Sequence, residues 1–215
     1  MKEPYFTTEN ITARATGLLL AVEQYRREPP RSIAADRTAL IVLDMQRYFL
    51  EEGSHAFVPS APAIIPRVGA LVDAFQKIVL TRHVNTRQNA GMLGRWWRDL
   101  IKKDDPLGGL DPRIDSSRGR TLVKTQYDAF HDTPLGEILD GWGVRNLVVC
   151  GVMTHLCCET TARSAFVRGY SVFLPVDATA TYTEELHRAS LLTLAHGFAT
   201  PLLTEELIQM VGGER

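Results

Sequence analysis

The run Thr38-Ala-Leu-Ile-Val-Leu43 is apolar at every position after its threonine. A strand with one face in water alternates polar and apolar residues. This one has no polar side to offer and must be covered on both faces. Asn146-Leu-Val-Val-Cys150 and Ser171-Val-Phe-Leu174 read the same way, and Ile78-Val-Leu-Thr81 and Thr121-Leu-Val-Lys124 are shorter versions. Helical spacing fills the gaps. Pro62 to Gln76 carries Ile65, Val68, Leu71, Val72 and Phe75, and Gly91 to Lys103 reads as a helix with Trp96 and Trp97 near its middle. Thr133-Pro134 is a cap followed by a proline suited to a first helical position. The segment after Thr154 runs as a helix to Arg168, with Gly169 free to end it in the left-handed region. Thr183 caps a helix to about His196, and Thr204 opens the last one. Ala199-Thr-Pro-Leu-Leu203 is a sixth strand, placed at an edge by Pro201. Six covered strands alternating with helices predict an α/β fold, a doubly wound six-stranded parallel sheet with helices on both faces.

The chain has 215 residues, enough for one sizeable core. Residues 12–27 read as a helix of an N-terminal extension, 1–36, packing on a main domain, 37–215. Pro29-Pro30 ends that helix. A net charge of -1 gives no basic face for nucleic acid or an anionic membrane. The apolar stretch Gly17-Leu-Leu-Leu-Ala-Val22 is far too short to cross a bilayer, and the polar Glu23-Gln-Tyr-Arg-Arg-Glu28 follows at once. Three cysteines, two of them adjacent, do not make a disulfide framework, so a reducing cytoplasm is expected.

Open parallel sheets bind ligands beyond the carboxyl ends of their strands. Asp44 follows the first strand, Lys124 closes the third, and Cys157 lies just past the fourth. Each alone has an ordinary explanation, as a helix cap, a surface lysine and a small core residue. Together at one sheet edge they make a carboxylate, an ammonium and a thiol in one cleft. Cys157 stands three residues after Thr154, a good N-cap. A helix start and a nearby lysine both favour thiolate, so its pKa is expected to be depressed. Asp44 would accept the thiol proton and return it to a leaving group, while the thiolate forms an acyl-enzyme that water hydrolyses. This chemistry requires no metal and no organic cofactor. Cys150 and Cys158 are assigned to packing. No Gly-x-Gly-x-x-Gly follows the first strand, where Asp44-Met-Gln stands instead, so a dinucleotide-binding oxidoreductase is a weaker reading.

Four segments carry a family resemblance: Leu40-Ile-Val-Leu-Asp-Met-Gln-Arg-Tyr-Phe49, Val123-Lys-Thr-Gln-Tyr-Asp-Ala-Phe130, Gly151 to Arg163, and Val176-Asp-Ala-Thr179. In this order, from about Arg37 to Leu207, they resemble the isochorismatase-like (cysteine hydrolase) superfamily. The resemblance implies a Rossmann-like sheet and a homo-oligomer, dimer or tetramer. It implies Asp44, Lys124 and Cys157 as a catalytic triad acting on a small molecule. It also implies a cis peptide before Met153, with the backbone N–H groups of Met153 and Cys157 as an oxyanion hole.

Two branches of that superfamily differ in chemistry. One breaks C–N bonds with the thiol. The other cleaves a vinyl ether with the aspartate as proton donor and has a small residue such as glycine at the cysteine position. The wording around Lys124 and Thr154 and the N-terminal extension are closer to the vinyl-ether branch, and Gln88 matches its substrate-contacting glutamine. The thiol itself argues for acyl transfer, and the expectation is hydrolysis of a small amide, ureide or carbamoyl compound. A silent binding module on the same fold is a third reading, disfavoured by retention of all three residues. His83 is expected to stand alone, without the partners that make a metal site in nicotinamidases. His83, Tyr48, Phe49, Trp97, His155 and Gln88 are the substrate-binding candidates. The stretch 104–120 is expected to be a loop over the site or toward a neighbouring subunit.

Overall fold

The structure, a computed structural model, describes residues 2–213. Seven strands form one sheet: β1 (Thr38–Leu43), β2 (Ile78–His83), β3 (Arg120–Lys124), β4 (Asn146–Val152), β5 (Ser171–Pro175), β6 (Thr179–Ala180) and β7 (Thr200–Leu202). The order is β3-β2-β1-β4-β5-β7, with β6 paired to the end of β4, and every named pairing is parallel. The central β1 is buried at all six positions, as its unbroken apolar run requires. The seventh strand, β6, has only two residues, too few for a periodicity, and it exists because β4 runs on past Cys150 to receive it.

The helices are α1 (Ile11–Ala21), α2 (Arg47–Leu50), α3 (Ala61–Ala74), α4 (Leu93–Trp96), α5 (Leu135–Gly141), α6 (Glu159–Val167), α7 (Glu184–Gly197) and α8 (Thr204–Gly212). None is long and apolar enough to cross a membrane. The Thr183 side chain caps α7 by accepting from the Leu186 N–H, as its position predicted. Gly169 follows α6 at φ 90°, the left-handed stop expected of it.

Several helix expectations need correction. Pro134 is itself the N-cap of α5, not its first helical residue. The first helix ends at Ala21, and Glu23–Tyr25 continues as a 3-10 turn rather than as α-helix to residue 27. The helix expected over Gly91–Lys103 is the single turn α4. Trp97 leaves it in an extended conformation, its indole Nε1 donating to the Tyr127 hydroxyl at 2.6 Å, and Ile101 gives its carbonyl to the Asn85 N–H at 2.7 Å. These tertiary bonds outweigh a helix of modest local preference.

Gly151 shows how tightly the site edge of the sheet is built. It pairs with Leu43 across β1 and β4 and has φ 109°; a Cβ there would lie 2.1 Å from the Leu43 carbonyl oxygen. Gly151→Ala is expected to cost at least ~3 kcal/mol, a fall of about 10 °C in melting temperature. Gly136→Ala, in α5 with open space around it, serves as the control and is expected to be neutral or slightly stabilising. Equal melting temperatures for the two variants would show that β1 and β4 have room to separate.

Candidate active site

The three strand ends do converge. Asp44 leaves β1 at φ 51°, a left-handed conformation that aspartate tolerates better than most residues, and this turns its carboxylate back over the sheet edge. Oδ1 accepts from the Thr81 hydroxyl of β2 at 2.7 Å. Oδ2 lies 2.8 Å from Nζ of Lys124 and, apart from that ion pair, has no hydrogen-bond partner. Nζ also lies 3.3 Å from Sγ of Cys157 and 3.2 Å from Nδ1 of His83, and it donates to the Gln126 carbonyl at 2.8 Å. Asp44 and Lys124 are fully buried and Cys157 nearly so.

The electrostatics follow from this packing. Burial pushes the Asp44 carboxyl up, but the Lys124 ammonium, His83 and the Thr81 hydroxyl outweigh it and hold Asp44 below its usual value. Burial pulls Lys124 down, and the opposing charges of Asp44 and Cys157 bring it up to about 12. For Cys157 the expectation of a depressed pKa is overturned. Burial and the Asp44 charge outweigh Lys124, and the thiol is pushed up to about 12. The resting pair is therefore Asp44 carboxylate with Lys124 ammonium, beside a neutral thiol.

The turn that carries Cys157 also differs from a simple capped helix. Thr154–Cys158 is a π-helical turn before α6, with Met153 as its N-cap. The Thr154 hydroxyl is buried and caps nothing. The Val152–Met153 peptide bond is cis, as the resemblance implied. Cys150 and Cys158 are fully buried in the core, and all three cysteines are free.

His83 is not alone. Its ring, Asp44 and Cys157 bring three possible metal-ligating atoms within 4.8 Å of one another. Lys124 Nζ contacts all three residues and supplies the positive charge at their midst. His83 Nε2 lies 2.7 Å from Asn85 Oδ1, whose amide nitrogen donates to the Thr125 carbonyl. That fixes the proton on Nε2 and leaves Nδ1 to accept from Lys124. Burial and the Lys124 charge lower His83 to about 4, so the ring is neutral.

A cavity of about 120 Å³ opens above the thiol. Cys157, His83 and Met153 line one side of it. Tyr48, Phe49, Trp97, Tyr127 and Tyr182 supply an aromatic wall, with Leu93, Ile101 and Leu156 between them. Asn85 and His55 add polar atoms, and Arg98 and Asp99 are exposed residues at the mouth. Asp44 and Lys124 do not line it; they lie behind Cys157 and His83.

Four of the substrate-binding candidates, His83, Tyr48, Phe49 and Trp97, thus face the cavity. Two do not. Gln88 is exposed and contributes no atom, because the chain turns outward after Asn85, which takes the polar position instead. His155 points its Nδ1 to the Thr181 hydroxyl at 2.6 Å, away from the cavity lining. Trp96 is 74% exposed beside the cavity-lining Trp97.

Other residues around the site have structural tasks that no local pattern shows. Gln46 brackets the ends of β1 and β2, accepting from the His83 N–H at 2.7 Å and donating to the carbonyls of His83 and Gly108. The 104–120 stretch is stitched to the segment after β1: Tyr48 and Arg47 donate their N–H groups to the Leu107 and Gly109 carbonyls, and Asp111 donates to Met45. Asp177, in the fourth motif, accepts from both the N–H and the hydroxyl of Thr204 at 2.8 Å and so holds the start of α8; its role is structural.

Comparison with known proteins places the fold in a family. A family model for the isochorismatase domain matches residues 38–206. Nicotinamidase 3 of Arabidopsis thaliana is 39% identical over 185 residues, covering 82% of this chain and 88% of the relative. Streptothricin hydrolase of Streptomyces noursei is 38% identical over 146 residues, 67% of this chain and 50% of the relative. Among solved structures, a cysteine hydrolase from Pseudomonas syringae pv. phaseolicola 1448A superposes with a TM-score of 0.78 at 27% identity, covering 87% of this chain and 97% of that one. The chain belongs to the isochorismatase family of hydrolases.

Proposed function

We propose that the protein hydrolyses the C–N bond of a small, uncharged amide, ureide or carbamoyl compound through a thioester acyl-enzyme. The observation that carries this reading is the placement of Lys124 Nζ between Asp44 Oδ2 and Cys157 Sγ, with only the thiol facing the cavity. As Sγ bonds to the substrate carbonyl carbon, its proton passes to the free lone pair of Asp44 Oδ2, and the carbonyl oxygen takes the negative charge. The backbone N–H groups of Met153 and Cys157 stabilise that oxyanion. The tetrahedral adduct collapses by breaking the C–N bond, and Asp44 returns its proton to the departing nitrogen. Water then attacks the thioester with Asp44 again as base, the C–S bond breaks, and the thiol regains a proton as the acid leaves. Lys124 remains ammonium throughout and compensates the charge on sulfur and carboxylate.

Two features weigh against the vinyl-ether reaction. A proton donor to carbon should hold its proton at neutral pH, whereas Asp44 is held below the usual carboxylate range. Isochorismate is also a dicarboxylate. Among the described residues, the only Lys or Arg lining the cavity is Arg98, exposed at its mouth. The lining instead suits a flat, neutral acyl group. The Arabidopsis relative makes nicotinamide one of the amides to assay.

The test is ammonia release from a panel of small neutral amides and ureides, with isochorismate turnover alongside. At least one amide is expected to react; turnover of isochorismate alone would overturn the assignment. For the reactive amide, kcat/KM is expected to be flat between about pH 5 and 9. Asp44 must be ionised, and its lowered pKa puts that loss below the usual carboxylate range. Cys157 loses its proton only during attack, and Lys124 stays charged up to about 12. A limb between pH 6 and 8.5, expected of a pre-formed thiolate, would contradict the shared-proton mechanism.

A further inference from the structure

The N-terminal arm, residues 2–6, lies outside the 38–206 match to the family, yet it is bound to both sides of the cavity. Tyr5 and Phe6 are its anchors. Both are buried. The Tyr5 hydroxyl accepts from the Thr181 N–H at 3.0 Å and lies 2.8 Å from Nδ1 of the buried His187, and the Phe6 N–H donates to Ser60 Oγ at 3.0 Å. From these anchors the chain runs back along the site. The Glu3 N–H donates to the carbonyl of the wall residue Tyr182 at 2.9 Å, and the Glu3 carboxylate accepts from the Glu184 N–H at 2.7 Å.

Lys2 completes the contact. Its Nζ donates to the carbonyls of His55 and Phe57, at 2.5 and 2.9 Å, and stands 4.4 Å from the centre of the Tyr182 ring. His55 and Tyr182 both line the cavity, on segments more than 120 residues apart in sequence. Between these segments the structure gives one direct hydrogen bond, a long one of 3.4 Å from the Tyr182 hydroxyl to the Ala56 carbonyl. One ammonium thus holds the loop carbonyls on one side and the ring face on the other.

We propose that Lys2 is a specificity-determining residue: it clasps the His55–Phe57 loop to Tyr182 and thereby sets the largest group the cavity admits. The inference rests on the reading that substrate occupies the cavity above Cys157. It does not require that the bond cleaved be C–N. Removing the ammonium frees the loop from the Tyr182 face and widens the mouth, leaving Cys157, Asp44 and Lys124 in place. Small ligands then enter as before, and bulky ones enter faster.

The experiment compares the wild-type chain with Lys2→Met, which keeps the length of the side chain, and Lys2→Arg, which keeps the charge and the donors. Alkylation of Cys157 is followed by peptide mass spectrometry with iodoacetamide and with a fluorescein maleimide at one alkaline pH. Lys2→Met is expected to speed the bulky reagent at least about fivefold while changing iodoacetamide less than about twofold, and Lys2→Arg to restore the wild-type ratio. Hydrogen exchange of segments 54–58 and 181–184 is expected to rise together in Lys2→Met alone. An unchanged reagent ratio, with exchange unchanged in both segments, would overturn the clasp. Neither readout depends on turnover, so failure of the amide assay and failure of this proposal are separate results.

Discussion

Cys157→Ala is expected to reduce amide turnover by at least ~10⁴-fold with little change in melting temperature. The side chain loses only a sulfur at the floor of an existing cavity, so packing changes little, but the proposed reaction loses the thiol that would form the acyl-enzyme. Asp44 is then left with no thiol proton to accept. The same substitution distinguishes the two chemistries of the family. A vinyl-ether reaction uses Asp44 as the acid and has no need of sulfur, so retained activity toward isochorismate in Cys157→Ala would refute the thioester mechanism.

Lys124→Met is expected to damage both activity and stability. Lys124 is fully buried and is the charge partner of Asp44. Removing one member of a buried ion pair leaves the other unpaired, at about 3–5 kcal/mol. The pH dependence gives a sharper readout than the size of the loss. In the wild-type chain the folded-state pKa of Asp44 is lowered. Its contribution to stability is therefore present above the unfolded carboxylate pKa and is lost as the pH falls through the folded value. Without Lys124, burial dominates and the Asp44 pKa rises above its unfolded value, so the sign reverses: stability is highest in acid and falls as the pH rises. Lys124 carries the complementary signature in the wild type. Its pKa is raised to about 12, so its contribution is full below the unfolded lysine value and is lost as the pH rises through the folded one. Adding Asp44→Asn to Lys124→Met removes the stranded charge and is expected to recover most of the stability but none of the activity. Urea unfolding across acid and neutral pH checks this. An unchanged pH dependence in Lys124→Met would show that the pair does not control the state of Asp44.

Much of the architecture was legible locally. The runs at Thr38–Leu43 and Asn146–Cys150 identify covered strands because a parallel sheet between helix layers leaves no position for a polar side chain. Once these strands are placed, chain direction puts Asp44, Lys124 and the Cys157 turn at one edge without further information. Caps such as Thr183 were equally readable, since a hydroxyl three residues before an N–H is a local relation. The expected helix across Gly91–Lys103 did not form, because Trp97 and Ile101 are fixed by residues 30 and 16 positions away. Gln88 was matched by family wording alone. The outward turn that replaces it with Asn85 depends on the Asn85 contacts to His83 and Thr125.

The parallel sheet, the family and the convergence of a carboxylate, an ammonium and a thiol can all be read from residue order, because strand burial and strand polarity follow from the pattern of neighbouring residues. The state of those groups is set by three-dimensional packing. Whether a thiol near a lysine is depressed or raised depends on how far burial and a third charge oppose the lysine, and at Cys157 burial and Asp44 prevail. The tertiary structure also decided what closes the cavity. Lys2, His55 and Tyr182 come from three distant parts of the chain, and no local pattern records their meeting.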